Sequence, residues 1–348
     1  MMVVPGSIPK MMRSLANFCL KFEGLAVKFV FFAVMISLNN KAKQFLVLAI
    51  KILIVVGAFY FIYKQLSENP KLQWEQFQKL VWEKQSFGNI AFILFLTFLN
   101  RFLEILKWQN LVDVIRKISL GEASKQVLAA LTAGLFTPNG IGEYAGKALF
   151  FESVKAKKIV FLNLICNGIQ MILTVIFGIF GLLYFNARFN IITTKTVGLV
   201  FALLIGILLV LFFTKKISIR GYSLEKLIHK INEIPKKVHQ KNILLAIGRY
   251  LVFSHQYYFL FLIFDVTIPY WLLMATIACV YFLASSLPTF QFLDFAVKGS
   301  VAVYFFGLLG VNEWVVVFIS TLMWFLNVVI PVAIGSYFVL NFKMSWKS

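Results

Sequence analysis

The sequence predicts an all-α integral membrane protein with about eight transmembrane helices and additional broken helices that enter the membrane. Of its 348 residues, 60% are hydrophobic and only 14% are charged, whereas a soluble domain of this length is far less apolar. The chain also contains eight apolar stretches near the length of about 20 residues that a helix needs to cross lipid. This composition excludes soluble enzyme folds.

Eight apolar segments are predicted to span the membrane. They are residues 45–63, 89–106, 159–185, 195–214, 243–264, 267–286, 297–311 and 314–340. Cationic loops resist crossing the bilayer, so the lysine and arginine counts assign the side of each loop. The segments assigned to the cytoplasm hold 23 of the 34 cations, and the outside loops hold six. Both termini and the basic loop 215–241 are therefore predicted to be cytoplasmic.

The excess of basic residues gives a net charge of +20. In a membrane protein this excess indicates cytoplasmic loops that face anionic lipid, and it does not indicate nucleic-acid binding. The cysteines are isolated and the histidines do not cluster, so neither a metal site nor another cofactor is predicted. The spans contain no catalytic His/Asp/Ser constellation, so the protein is predicted not to be an enzyme.

Residues 1–41 are predicted to be an N-terminal extension that precedes a single transmembrane domain over residues 42–342. The extension has one short apolar run and no full span. It is interpreted either as an amphipathic helix whose basic side chains lie on anionic lipid, or as a dispensable segment before a start at Met35. We favour the second interpretation.

Residues 126–150 are predicted to form a re-entrant hairpin. Pro138 has no N–H to donate and Asn139-Gly140 favours a turn, so a helix from Gln126 should break there. The positive charge alternates between the two sides only if this segment enters and leaves the membrane on the same side.

A second half-helix is predicted to begin near Ile141 and Gly142. Its free N–H groups and positive dipole end, together with Lys147, favour an anion such as phosphate. Glu143 and Lys147 are spaced i, i+4 and would stack on one helix face. Two interpretations are open: a site for an anionic group, or a structural ion pair that lets the half-helix enter the membrane.

The sequence after Pro288 repeats this pattern. Glu143-Tyr-Ala-Gly-Lys147 corresponds to Asp294-Phe-Ala-Val-Lys298. Broken apolar segments in corresponding positions of two halves indicate an inverted-topology repeat with a transport site near the midplane. A chance match between two membrane helices is the alternative.

A third charged cluster closes the second span. Arg101 and Glu104 can pair on one helix face, and Arg101 is a candidate for contact with an anionic headgroup. Lys107 and Trp108 are interpreted as an interfacial anchor. Arg249 lies near the end of another span and is interpreted as snorkelling to the interface.

The Arg101…Lys107-Trp108 end of the second span, the Thr-Pro-Asn-Gly-Ile-Gly-Glu break at 137–143 and the later Pro-broken segment resemble the transmembrane-domain family of lysylphosphatidylglycerol synthases. Members of this family are often described as flippase-like. The sequence departs from the family where Lys147 stands in place of a typical arginine. It departs again where Thr-Phe-Gln-Phe at 289–292 replaces a glycine-rich stretch. The resemblance implies lipid handling without the soluble aminoacyl-transferase domain.

These features predict a flippase-like protein of the bacterial cytoplasmic (inner) membrane that moves an anionic phospholipid or lipid-linked intermediate by alternating access. The predicted headgroup-binding residues are Arg101, Glu143, Lys147, Asp294 and Lys298. The alternative is a non-transporting subunit that scaffolds a lipid or glycan biosynthetic enzyme through its basic loop.

Overall fold

The computed structural model describes most of the chain from Ser86 to Phe342. The described residues are 86–135, 137, 140–191, 193, 223–286 and 291–342, together with Phe45 and Ala49. Several predictions fall outside them. These concern the extension 1–41, the spans 45–63 and 195–214, and the breaking residues Pro138, Asn139 and Pro288.

The described residues from Ser86 onward belong to one compact unit and form helices, with no strand among them. The helices are α1 (Phe87–Val112), α2 (Leu120–Gly134), α3 (Ile141–Ala148), α4 (Ala156–Phe189), α5 (Leu224–Asn232), α6 (Lys236–Ile263), α7 (Tyr270–Ser286), α8 (Asp294–Leu308), α9 (Glu313–Trp324) and α10 (Ile330–Leu340). A π-turn over Phe325–Val329 joins α9 to α10. The all-α prediction is confirmed.

Within the described part of the chain, three helical stretches are long and apolar enough to cross a membrane. They are Phe87–Val112, Ser153–Phe189 and Glu313–Leu340, and α7 is apolar but shorter. Large apolar side chains such as Phe98 and Phe180 point outward from these helices and are about two-thirds exposed. Exposed apolar surface on this scale fits contact with lipid. The chain is a multi-pass membrane protein.

The first turn of α2 is fixed by its own sequence. The Ser119 hydroxyl accepts a hydrogen bond from the Glu122 N–H, and the Glu122 carboxylate accepts one from the Ser119 N–H. This reciprocal capping satisfies two N–H groups that the helix itself leaves free. The helix therefore begins at Leu120, earlier than the predicted start at Gln126.

The predicted hairpin is formed by α2 and α3, which run antiparallel. A Cβ atom added at Gly146 would lie 3.0 Å from the Ala130 Cα, and one at Gly142 would lie 2.4 Å from the Ala133 carbonyl oxygen. The two backbones therefore pack directly on each other. The chain reverses at Gly140, whose φ of +67° is a conformation that glycine adopts without strain.

Within the described part of the chain, two large apolar cores and two small clusters hold the helices together. In the larger core, Phe261 of α6 stacks on Phe306 of α8 with ring centroids 4.2 Å apart. The second large core joins α1, α2 and α4 around Trp108 and Leu162. Because α1 and α4 contribute side chains to both cores, the polar residues that they carry are held in fixed positions.

Gly335→Ala is expected to destabilise the protein by about 1–3 kcal/mol, the usual cost of overpacking. A Cβ atom at this position of α10 would lie 2.2 Å from the Leu128 carbonyl oxygen and 2.4 Å from the Thr132 hydroxyl, so α10 would have to move away from α2. Thermal unfolding in detergent measures the effect. Gly307→Ala on α8 is the control, because no atom lies within 4 Å of the added Cβ. Equal melting temperatures for the two variants would contradict the packing of α10 on α2.

Candidate functional site

A group of charged side chains surrounds Glu104 on α1. Arg101 lies one helical turn earlier and donates a hydrogen bond to the Glu104 carboxylate. Arg249 of α6 lies 3.3 Å from the same carboxylate oxygen. Lys107 follows Glu104 by three residues on α1, and Lys147 lies over the ring of Trp108, four residues after Glu104. The carboxylate is buried and contacts two arginines, and two lysines lie nearby on α1 and α3.

Lys147 on α3 is fully buried. Its Nζ donates to Glu143 Oε1 at 2.6 Å and to Asn163 Oδ1 at 2.8 Å. The same Nζ lies 4.6 Å from the centroid of the Trp108 ring, a distance typical of cation–π contacts. The ion pair suggested by the i, i+4 spacing therefore forms, and it also ties α3 to α1 and α4.

Lys107 on α1 is also fully buried, and it forms no ion pair with any residue that the structure describes. Its Nζ donates to the Cys166 carbonyl oxygen at 3.0 Å and to Gln170 Oε1 at 3.3 Å. The interpretation of Lys107 and Trp108 as an interfacial anchor is wrong. Both side chains are 0% exposed, whereas an anchor must reach the headgroup layer.

The interpretation of Arg249 as a snorkelling side chain is also wrong. Its guanidinium group points inward, where Nη2 faces Glu104 and Nε donates to Asn100 Oδ1 at 3.1 Å. The side chain of Arg249 is only 21% exposed. Two α1 side chains thus hold an α6 cation inside the protein.

A chain of amide side chains extends this cluster across three helical segments. Asn100 Nδ2 donates to Asn327 Oδ1 at 2.6 Å, and Asn327 Nδ2 donates to Gln256 Oε1 at 3.0 Å. Gln256 Nε2 then donates to the Thr97 hydroxyl at 2.7 Å. The amide chain connects α1, α6 and the π-turn between α9 and α10.

Pro331 explains why Arg101 can bind the backbone of the last helical stretch. Proline has no N–H, so the carbonyl group four residues earlier, at Asn327, lacks its α-helical donor. The helix widens into the π-turn Phe325–Val329 at this position, and Arg101 Nη2 donates to the Asn327 carbonyl oxygen at 2.5 Å. Arg101 thus joins the Glu104 carboxylate to the π-turn of the last helical stretch.

Asp294 and Lys298 form a second ion pair at the start of α8, with Nζ 2.5 Å from Oδ2. Both residues line a cavity with a water-accessible volume of about 50 Å³. A water molecule needs roughly 10–15 Å³ by this measure, so several water molecules fit. Asn327 lines the same cavity and links it to the amide chain.

The two broken segments lie side by side at Gly140. A Cβ atom at Gly140 would lie 2.7 Å from Gln291 Nε2, and one at Gly134 would lie 3.4 Å from Gln291 Oε1. Among the described residues, no hydrogen bond joins the Glu143–Lys147 pair directly to the Asp294–Lys298 pair. The structure thus places Gln291, just before Asp294, against Gly140. Asn327, which lines the cavity with Asp294 and Lys298, accepts a hydrogen bond from Arg101 through its carbonyl oxygen.

The cluster around Glu104 has more positive than negative charge. The cluster contains four cations, Arg101, Lys107, Lys147 and Arg249, and two carboxylates, Glu104 and Glu143, which leaves a surplus of two positive charges. Two donors in the same region, Arg101 Nε and Asn163 Nδ2, are buried without an acceptor among the described residues. Charge inside a membrane is costly unless it is paired. This arrangement suits an anionic group that accepts several hydrogen bonds.

Sequence reasoning missed the contributions of Lys107, Arg249 and Asn163 to this cluster. The i, i+3, i+6 spacing of Arg101, Glu104 and Lys107 was a usable signal for Lys107, because it places all three side chains on a similar side of α1. No comparable local signal marked Arg249 or Asn163.

The fold and the site define a multi-pass helical membrane domain with a cation-rich interior. The family described as "Lysylphosphatidylglycerol synthase TM region" matches residues 48–335. The chain belongs to this family, so it is a membrane protein of lipid metabolism or transport. No curated protein and no solved structure matches the chain.

Proposed function

We propose that the protein is a flippase-like translocator that binds the headgroup of an anionic lipid in the cluster around Glu104 and moves it between the two leaflets. The surplus of two positive charges in a cluster that includes the fully buried Lys107 and Lys147 carries this proposal. Translocation makes and breaks no covalent bond, so the proposal assigns no catalytic residue.

A phosphate group matches the donors that the cluster offers. Arg101 Nε and Asn163 Nδ2 are buried without an acceptor among the described residues, and phosphate oxygens accept several hydrogen bonds at once. Arginine binds phosphate more strongly and with better-defined geometry than a neutral donor does. Lys107 adds a buried positive charge that no described carboxylate pairs. Binding a phosphate would thus neutralise charge and satisfy donors in one step.

Movement would use the contacts between broken segments. The hairpin of α2 and α3 meets Gln291 at Gly140, and the last helical stretch is broken at the π-turn. Rocking of two halves around a site at such breaks exposes the site to each side of the membrane in turn. The lipid gradient or the membrane potential would drive transport, and the potential is worth about 2.3 kcal/mol per charge per 100 mV.

We place the protein in the bacterial cytoplasmic membrane with both termini and loop 215–241 in the cytoplasm. Lys230→Cys should therefore not react with a membrane-impermeant thiol reagent in intact cells, and it should react after permeabilisation. Lys230 is exposed on α5, while Cys166 and Cys279 are buried and give little background. Cys19 is replaced by serine in the parent protein for this assay. Labelling of Lys230→Cys in intact cells would show that this loop lies outside the cell and that the proposed orientation is wrong.

Purified protein in liposomes tests the function directly. A fluorescent anionic phospholipid should move between leaflets faster than in empty liposomes, and Arg101→Gln should abolish the gain. Arg116→Gln is the matched control, because Arg116 is about half exposed and pairs only loosely with Glu122. If folded wild-type protein moves no lipid, the translocator proposal is wrong and the scaffold alternative gains support.

A further inference from the structure

The cavity beside Asp294 and Lys298 contains polar groups that its ion pair does not use. The Tyr281 hydroxyl and the Trp324 Nε1–H both belong to residues that line the cavity. Neither group has a hydrogen-bond partner among the described residues, and both side chains are over nine-tenths buried. Buried polar groups almost always have a partner. These two groups therefore indicate a ligand or water that brings hydrogen-bonding atoms into the cavity.

The groups that line the cavity make an ammonium group an unfavourable ligand. Lys298 Nζ already pairs with Asp294 at 2.5 Å. The same Nζ lies 5.8 Å and 6.0 Å from the ring centroids of Tyr281 and Phe253. The carboxylate and the aromatic faces, which are the groups that attract a cation, are thus occupied by a side chain of the protein. The cavity has no net charge from this pair.

Hydroxyl groups on a ligand would satisfy the two polar groups that lack a partner among the described residues, the Tyr281 hydroxyl and the Trp324 Nε1–H. A hydroxyl oxygen can accept from Trp324 Nε1–H, and a hydroxyl can donate to or accept from Tyr281. The aromatic walls offer apolar surface to the carbon atoms of a polyol. Several hydroxyl groups could replace the water molecules that the cavity has room for.

The cavity adjoins the cluster that binds the phosphate in the proposed function. Asn327 lines the cavity, and its carbonyl oxygen accepts a hydrogen bond from Arg101. One headgroup could therefore reach both places. We infer that the cavity is a subsite for the hydroxyl-bearing part of a lipid headgroup, a polyol or a sugar joined to the phosphate that Arg101 and its neighbours bind. This inference rests on the proposed function, because it needs the phosphate to lie beside Arg101.

Two lipids of equal charge distinguish binding at the subsite from binding at the phosphate site. Phosphatidylinositol has a phosphodiester and a polyol, while phosphatidylethanol has the same phosphodiester without free hydroxyl groups. Purified protein in nanodiscs should bind phosphatidylinositol more tightly. Tyr281→Phe should reduce this preference roughly three- to tenfold, the effect of losing one hydrogen bond, and should leave phosphatidylethanol binding unchanged. Trp324→Phe should do the same and serves as a second variant if Tyr281→Phe fails to fold.

Tyr304→Phe on α8 is the control, because Tyr304 is exposed and does not line the cavity. It should keep the full preference for phosphatidylinositol. Equal binding of the two lipids by the wild-type protein, or an unchanged preference in both folded cavity variants, would overturn the subsite and leave the proposed function standing. Binding of neither lipid would overturn the proposed function itself. Soluble inositol phosphate should not compete at the same concentration, and competition would overturn the assignment to a lipid.

Discussion

Replacing Glu104 with glutamine is expected to destabilise the protein by about 3–5 kcal/mol, the usual cost of removing one partner from a buried charge cluster. Arg101 and Arg249 both contact this carboxylate. Without its charge they would lose their common anion, and the surplus in the cluster would rise from two positive charges to three. The loss is measured by thermal or denaturant-induced unfolding in detergent.

Glu122→Gln is the matched control, because Glu122 pairs with Arg116 at 3.6 Å and both side chains are about half exposed. Exposed pairs contribute about 1 kcal/mol or less. Anionic lipid should raise the melting temperature of Glu104→Gln more than that of the wild-type protein, since the added phosphate would replace the missing charge. If Glu104→Gln is as stable as the Glu122→Gln control, the cluster is solvated and its charges do not depend on Glu104 for compensation.

Exchanging Glu143 and Lys147 is expected to weaken binding of an anionic lipid by roughly 10- to 100-fold, which corresponds to the loss of one charged hydrogen bond. The exchange keeps an i, i+4 ion pair but moves the ammonium group about one helical turn, roughly 5 Å. It thus removes Lys147 from Asn163 and from the face of Trp108. Lys147→Ala should abolish binding, and because it leaves Glu143 without the partner seen in the structure, that variant should also be less stable.

The pair Glu152 and Lys155 provides a control for the exchange. These residues form an exposed ion pair at 3.1 Å, and swapping them should change neither stability nor lipid binding. Binding is measured by titrating anionic lipid into purified protein. If the Glu143/Lys147 exchange yields a stable protein that binds lipid like the parent, the pair is structural and takes no part in the site.

Local sequence features predicted the parts of the structure that depend on neighbouring residues. The apolar runs marked the helices because burial in lipid requires continuous apolar sequence. Gly140 marked the reversal between α2 and α3, since its positive φ suits glycine. The i, i+4 spacing predicted the contact of Glu143 with Lys147, which the structure contains.

The parts that sequence reasoning missed depend on contacts between distant residues. Arg249 was interpreted as snorkelling to the interface because its partner, Glu104, belongs to another helix. Asn100 and Asn327 bond to each other across 227 positions of sequence. No periodic pattern within one helix encodes such a contact. Lys107 was misread for the same reason, because its partners lie on α4.

Measuring the contact between lipid phosphorus and the Arg101 guanidinium group tests headgroup binding at this cluster most directly. Protein with isotope-labelled arginine would be placed in a phosphorus-free galactolipid bilayer that contains only a small amount of one anionic phospholipid. Solid-state NMR should then show dipolar coupling between guanidinium nitrogen and lipid phosphorus. Arg101→Lys should reduce this coupling, and Arg116→Lys should leave it intact. The absence of coupling in the folded wild-type protein, or full coupling in Arg101→Lys, would contradict binding of the headgroup at this cluster.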